Sequence, residues 1–100
     1  MRLKSGVQWT RMAPAMEHAW DVCERVTREV CDRDAIITSA RDGRHSANSF
    51  HYEGKALYLR TRDLSVTKVA EYHGALVLAL GPDYDVVTER DHIHLEFDPK

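Results

Sequence analysis

From Lys55 to Thr61 the side chains alternate in position: Leu57 and Leu59 fall on one face, Ala56, Tyr58 and Arg60 on the other. A period of two belongs to a β-strand with one face against a core and the other open to polar groups. Such a strand constrains the whole chain, because it needs strands beside it and an apolar layer over its leucine face. The strands are at hand. Ala35–Ala40 is rich in β-branched residues and reads as a buried strand. Tyr84–Glu89 and His92–Phe97 read as two more, joined by a tight turn around Arg90-Asp91.

Two helical patterns supply the apolar layer. Pro14 suits a first helical turn, and Met16, Ala19, Trp20, Cys23, Val26 and Val30 follow at three- and four-residue steps. Asp32-Arg33-Asp34 ends that pattern. Ser65 or Thr67 can cap a second helix, whose expected buried stripe is Val66, Val69, Ala70, His73, Leu76, Val77 and Leu80, ended by Gly81-Pro82. Residues 1–13 read as an irregular lead-in, with Val7 and Trp9 alternating as a short strand or a core plug. Two helices and about four strands predict an α+β domain, with both helices on one face of a small, mostly antiparallel sheet.

Composition narrows the function. The chain has 100 residues, 43% hydrophobic and 30% charged, which fits a single domain, 1–100, with a modest core. A net charge of −2 offers no basic field for nucleic acid. No apolar run approaches the roughly 20 residues a membrane span needs. Met1-Arg2-Leu3-Lys4-Ser5-Gly6 lacks an apolar signal core, so the expected product is cytoplasmic when synthesised. Cys23 and Cys31 would lie about 12 Å apart on one helix, too far for a disulfide, and read as small buried thiols.

The chemistry is concentrated in two segments that hold four of the six histidines, His45 and His51 in one, His92 and His94 in the other. Imidazole is the usual nitrogen ligand of zinc, and His92-Ile93-His94 on a strand puts both rings on one face. The first segment contains Ser49-Phe50-His51-Tyr52-Glu53-Gly54-Lys55-Ala56, the second Asp91-His92-Ile93-His94. This pairing resembles the superfamily of D-alanyl-D-alanine carboxypeptidases, phage endolysin peptidases and the hedgehog signalling domain. Its signature is Ser-x-His-x-x-Gly-x-Ala-x-Asp, followed tens of residues later by an acidic residue and His-x-His. The likeness runs from roughly Ile36 to Phe97, and small prophage peptidases resemble the chain nearly end to end.

The resemblance implies a hedgehog-like or D-Ala-D-Ala metallopeptidase-like fold and a zinc site held by His51, residue 58 and His94. Zinc with three protein ligands keeps a position for water and lowers its pKa, and a carboxylate then accepts the proton. By position that carboxylate is Asp91, with Glu89 the alternative. His92 would orient the base or stabilise charge. Arg41 resembles the arginine that binds the substrate carbonyl or carboxylate, or else is a loop arginine in solvent. His45 resembles a histidine that supports the hedgehog site from behind, or is an exposed loop residue. Ser49 would fix the loop by hydrogen bonding.

Residue 58, however, is Tyr where the signature has Asp. A phenol titrates near 10 and reaches several Å further than a carboxylate, so ligation would require the metal to displace its proton. Three readings stay open: Tyr58 fills the ligand position and zinc is weak or absent, Glu53 or His45 substitutes, or zinc binds through Tyr58. Two functions follow. One is a phage- or prophage-type zinc peptidase acting on peptidoglycan stem peptides. The other is a non-catalytic protein that uses the same groove to bind a host or phage protein.

Overall fold

The computed structural model describes residues 1–41 and 53–99. Its elements are β1 (Arg2–Leu3), α1 (Pro14–Cys31), β2 (Ile36–Ser39), β3 (Ala56–Arg60), α2 (Val66–Leu80), β4 (Tyr84–Thr88) and β5 (His92–Phe97). The five strands form one mixed sheet in the order β1-β2-β3-β5-β4, parallel only between β1 and β2. The expected α+β class is the one observed, with one strand more than the sequence suggested.

That extra strand comes from Arg2–Leu3, not from Val7 and Trp9. Arg2 N–H donates to the Ala35 carbonyl and Lys4 N–H to the Ile37 carbonyl, both at 2.8 Å. A parallel neighbour needs a long crossover, and α1 provides it between β1 and β2. Val7 and Trp9 instead pack at the margin of the core, with the Trp9 ring 4.7 Å from Trp20.

The core lies between the helices and one face of the sheet. Met16, Ala19, Cys23 and Val26 of α1 meet Ile37, Leu57, Leu59, Ile93 and Leu95, all fully or almost fully buried. α1 opens on Pro14 and closes on Asp32, which takes the left-handed conformation (φ 52°) and donates its N–H to the Arg28 carbonyl. α2 is capped by Ser65, whose Oγ accepts the Lys68 N–H at 3.1 Å, an interaction worth about 1 kcal/mol. Gly81 ends it at φ 84°.

The buried stripe of α2 differs from expectation. It is Tyr72, Leu76 and Leu80, while Val66 is 88% exposed and Ala70 and Val77 also face outward. The helix is apolar on nearly every side, so hydropathy alone does not say which side is inward. Tyr72 decides it, because its hydroxyl hydrogen-bonds Thr27 of α1 inside the core and so avoids an unpaired buried polar group.

Burial of acidic protons in this core has a consequence at high pH. Burial pushes the Cys23 thiol up to about 12 and raises the Tyr72 phenol as well. Above the ordinary thiol pKa of 9.0 the unfolded chain releases protons that the folded chain keeps. Stability should therefore fall as pH rises past about 9, by about 1.4 kcal/mol per pH unit for Cys23 alone. Urea unfolding midpoints between pH 8 and 10.5 will read this, and Cys23→Val should flatten the slope. An unchanged slope in that variant would remove Cys23 as the cause.

Candidate functional site

Residues directly opposed across antiparallel strands share a face, so the register defines the side of the sheet that the helices leave uncovered. Tyr58 opposes His94, Arg60 opposes His92, and Ala56 opposes Glu96. On the other flank Val87 opposes His94 and Asp85 opposes Glu96. The leucine face of β3 and the Ile93–Leu95 face of β5 turn inward. Everything chemically distinctive turns the other way.

At the centre of this outer face three rings meet. Tyr58 stacks on His92 with centroids 4.0 Å apart and planes 28° apart, and lies tilted against His94 at 5.3 Å. Each imidazole is held by a carboxylate. His92 donates Nδ1–H to Asp91 Oδ1 at 2.7 Å, which leaves Nε2 as its other ring nitrogen. His94 donates Nε2–H to Glu96 Oε1 at 2.9 Å. Carboxylate partners of this kind fix the tautomer and aim the ring.

The site's electrostatics follow from these contacts. The His92 hydrogen bond holds the Asp91 carboxyl below the usual carboxylate range, although the side chain is 63% exposed. Burial, with the nearby Glu89 charge, raises the Tyr58 phenol above its ordinary value. Both effects keep the phenol protonated, the wrong direction for a metal-binding phenolate.

The expected site residues therefore fall into three groups. Tyr58, His92, His94 and Asp91 are brought together, and Glu89 is close enough for its charge to be felt at Tyr58. Glu89 also sits on the hairpin turn, its N–H donating to the His92 carbonyl at 2.8 Å. Arg41 lies at the start of β3, where its guanidinium would be 3.3 Å from a Cβ on Gly54. His45, Ser49 and His51 lie outside the described residues, and so does any contact they make.

Two residues that motif reading passed over belong to the same face. Glu96 holds His94, and the alternation His92-x-His94-x-Glu96 was the signal that could have found it. Arg60 stands across from His92, on the polar side of β3 as the alternation predicts. Its Nε is buried with no hydrogen-bond partner among the described residues.

The donor set bears on zinc. Among the described residues, no three His, Cys, Asp or Glu groups that include His92 or His94 bring their ligand atoms within 4.8 Å of one another. Asp85, Glu96 and Asp98 do approach so closely, but an all-carboxylate set on partly exposed strands suits hard, oxygen-seeking cations and is no sign of zinc. Tyr58 occupies the space beside both imidazoles. The described residues alone do not fit a zinc ion; a site here would need His51 and a ligand that Tyr58 does not readily supply.

No helix among the described residues is long and apolar enough to cross a membrane. The chain matches no family model, no curated protein and no solved structure.

Proposed function

We propose that this chain is a phage- or prophage-type protein of the peptidoglycan-peptidase kind whose zinc site is degenerate at Tyr58. The observation that carries the reading is the cross-strand pair Tyr58–His94 with His92 beside it on the polar sheet face. The signature requires its Asp and its last His to converge, and here the positions that correspond to them are directly opposed. Asp91 and Glu96 hold the two imidazoles, which is the support that metal-binding or proton-handling histidines need.

What this face does without a strong metal is bind. Tyr58 stacked on His92 makes an aromatic platform with a carboxylate at Asp91 and a guanidinium at Arg60. That composition favours the second reading, a non-catalytic protein that holds a peptide or a protein segment across the sheet. A peptidoglycan stem peptide is the first candidate, and a host or phage protein is the other. Aromatic surfaces beside charged groups are common anchors for such partners.

The purified protein should carry much less than one zinc per chain by elemental analysis and should leave peptidoglycan fragments uncut. Stoichiometric zinc that a chelator removes, together with hydrolysis abolished by Asp91→Ala, would overturn the degenerate reading in favour of a working peptidase.

A further inference from the structure

Away from the polar sheet face, a cleft of about 500 Å³ opens between the first turns of α2 and the tip of the β4–β5 hairpin. Small-ligand pockets typically measure about 300–1,000 Å³. The helix side of the cleft is apolar, formed by Leu64, Val66, Val69 and Ala70. Val66 is 88% exposed at its mouth, a large apolar side chain with nothing over it.

The remainder of the lining is charged. Arg62 and Arg90 border the cleft with Glu89, which leaves two guanidinium charges against one carboxylate. Arg25, Arg28 and Arg33 each pair with a carboxylate elsewhere on the protein. Arg62 and Arg90 have no ion-pair or hydrogen-bond partner among the described residues. Two hydrogen bonds fix the walls: Thr61 N–H donates to the Asp91 carbonyl at 3.0 Å, and His73 Nε2–H to the Val86 carbonyl at 2.8 Å. The cleft is built by the fold and does not depend on a ligand to form it.

We propose that this cleft binds a small amphipathic carboxylate, with the anion between Arg62 and Arg90 and the hydrocarbon on Leu64, Val66, Val69 and Ala70. Guanidinium groups bind carboxylates through paired, charge-assisted hydrogen bonds, and the apolar wall adds area that water leaves. The excess positive charge selects an acid over an amine of the same length. This site is separate from the Tyr58–His92–His94 face, and the two readings stand or fall independently.

Hexanoate, hexylamine and hexanol titrated into the isotopically labelled protein will test the proposal by amide chemical shifts. Hexanoate should move the amides of Leu64, Val66, Ala70 and Arg90 in a saturable way, whereas hexanol should bind about tenfold or more weakly and hexylamine not at all. The double variant Arg62→Gln/Arg90→Gln should weaken hexanoate by a similar factor. Both side chains are exposed and unpaired among the described residues, so the fold should survive; Ala70→Phe, which fills the cleft from the helix, is the second variant and should abolish binding. Shifts that do not saturate, that hexylamine reproduces, or that neither variant alters would overturn the proposal. So would acetyl-Ala-Ala-Leu binding more than about tenfold tighter than hexanoate, which would assign the cleft to the C-terminus of a protein instead.

Discussion

Tyr58→Asp should give the protein a zinc-dependent melting temperature that the parent lacks. The substitution places a short carboxylate directly across from His94, where the phenol ring now lies 5.3 Å from the imidazole. It removes the stacking on His92 and restores the anionic ligand that most zinc sites of this ligand number need. A ligand that binds only the folded state stabilises by mass action, about 2.7 kcal/mol at a hundred times its dissociation constant. For a domain of this size that corresponds to a rise on the order of 10–20 °C. Without zinc the variant should melt below the parent, because a carboxylate is now half-buried beside two imidazoles. Thermal melts with added zinc and with chelator will separate the cases. An equal zinc response in the parent would show that Tyr58 or a substitute already completes the site, and no response in the variant would remove the metal-site ancestry from the argument.

Gly54→Ala should be the most damaging small substitution in the signature segment. Gly54 sits at φ 71°, and a Cβ there would lie 2.7 Å from the Arg11 carbonyl oxygen and 3.1 Å from Met12 Cα. Both are backbone atoms, so the lead-in must move away. The Ala13 N–H to Gly54 carbonyl bond, 2.9 Å in the parent, would go with it. Left-handed strain of about 1–2 kcal/mol and a lost backbone bond of about 1 kcal/mol give a loss of roughly 2–3 kcal/mol. Gly74→Ala is the control. A Cβ at Gly74 meets nothing within 4 Å and lies inside α2, so helix propensity alone should raise stability by about 0.5–1 kcal/mol. Urea denaturation of both variants reads the difference; a Gly54→Ala protein as stable as its parent would mean that the lead-in does not press on β3.

Gly54 also explains why the signature glycine was legible in the sequence while its purpose was not. Its position in Ser-x-His-x-x-Gly marked a place where the backbone turns closely. The partner in that approach is the chain of Arg11 and Met12, more than forty residues away, and nothing in the local sequence names it. Arg41 is similar. Its place just after a strand was readable, but its position over Gly54 follows from the Arg41 N–H to Gln8 carbonyl bond that ties the strand end to the lead-in.

The chemistry of the sheet face was more legible than its surroundings. Alternation in Lys55–Thr61 put Tyr58 and Arg60 on the face opposite Leu57 and Leu59, and β5 begins and ends where its pattern predicted. Those patterns reflect a backbone whose successive side chains must point to opposite sides, so one residue type in the right place fixes all the others. The cross-strand meeting of Tyr58 with His94 required the register, which one strand cannot specify by itself.

The sequence by itself determined the secondary structure, the capped ends of α2, and which residues of β3 and β5 share the polar face. These depend on local geometry: the period of side chains, the φ of glycine and proline, and the reach of a capping hydroxyl. Only the tertiary structure decided which side of α2 is buried, since Tyr72 finds Thr27 across the core while hydropathy is nearly uniform around the helix. It alone recruited Arg2–Leu3 as an edge strand, through hydrogen bonds to β2 across a whole helix of intervening chain. It also brought Arg62 and Arg90 to the rim of one cleft from two different loops. Contacts between segments distant in the chain are set by the packing of the whole, and no local pattern carries them.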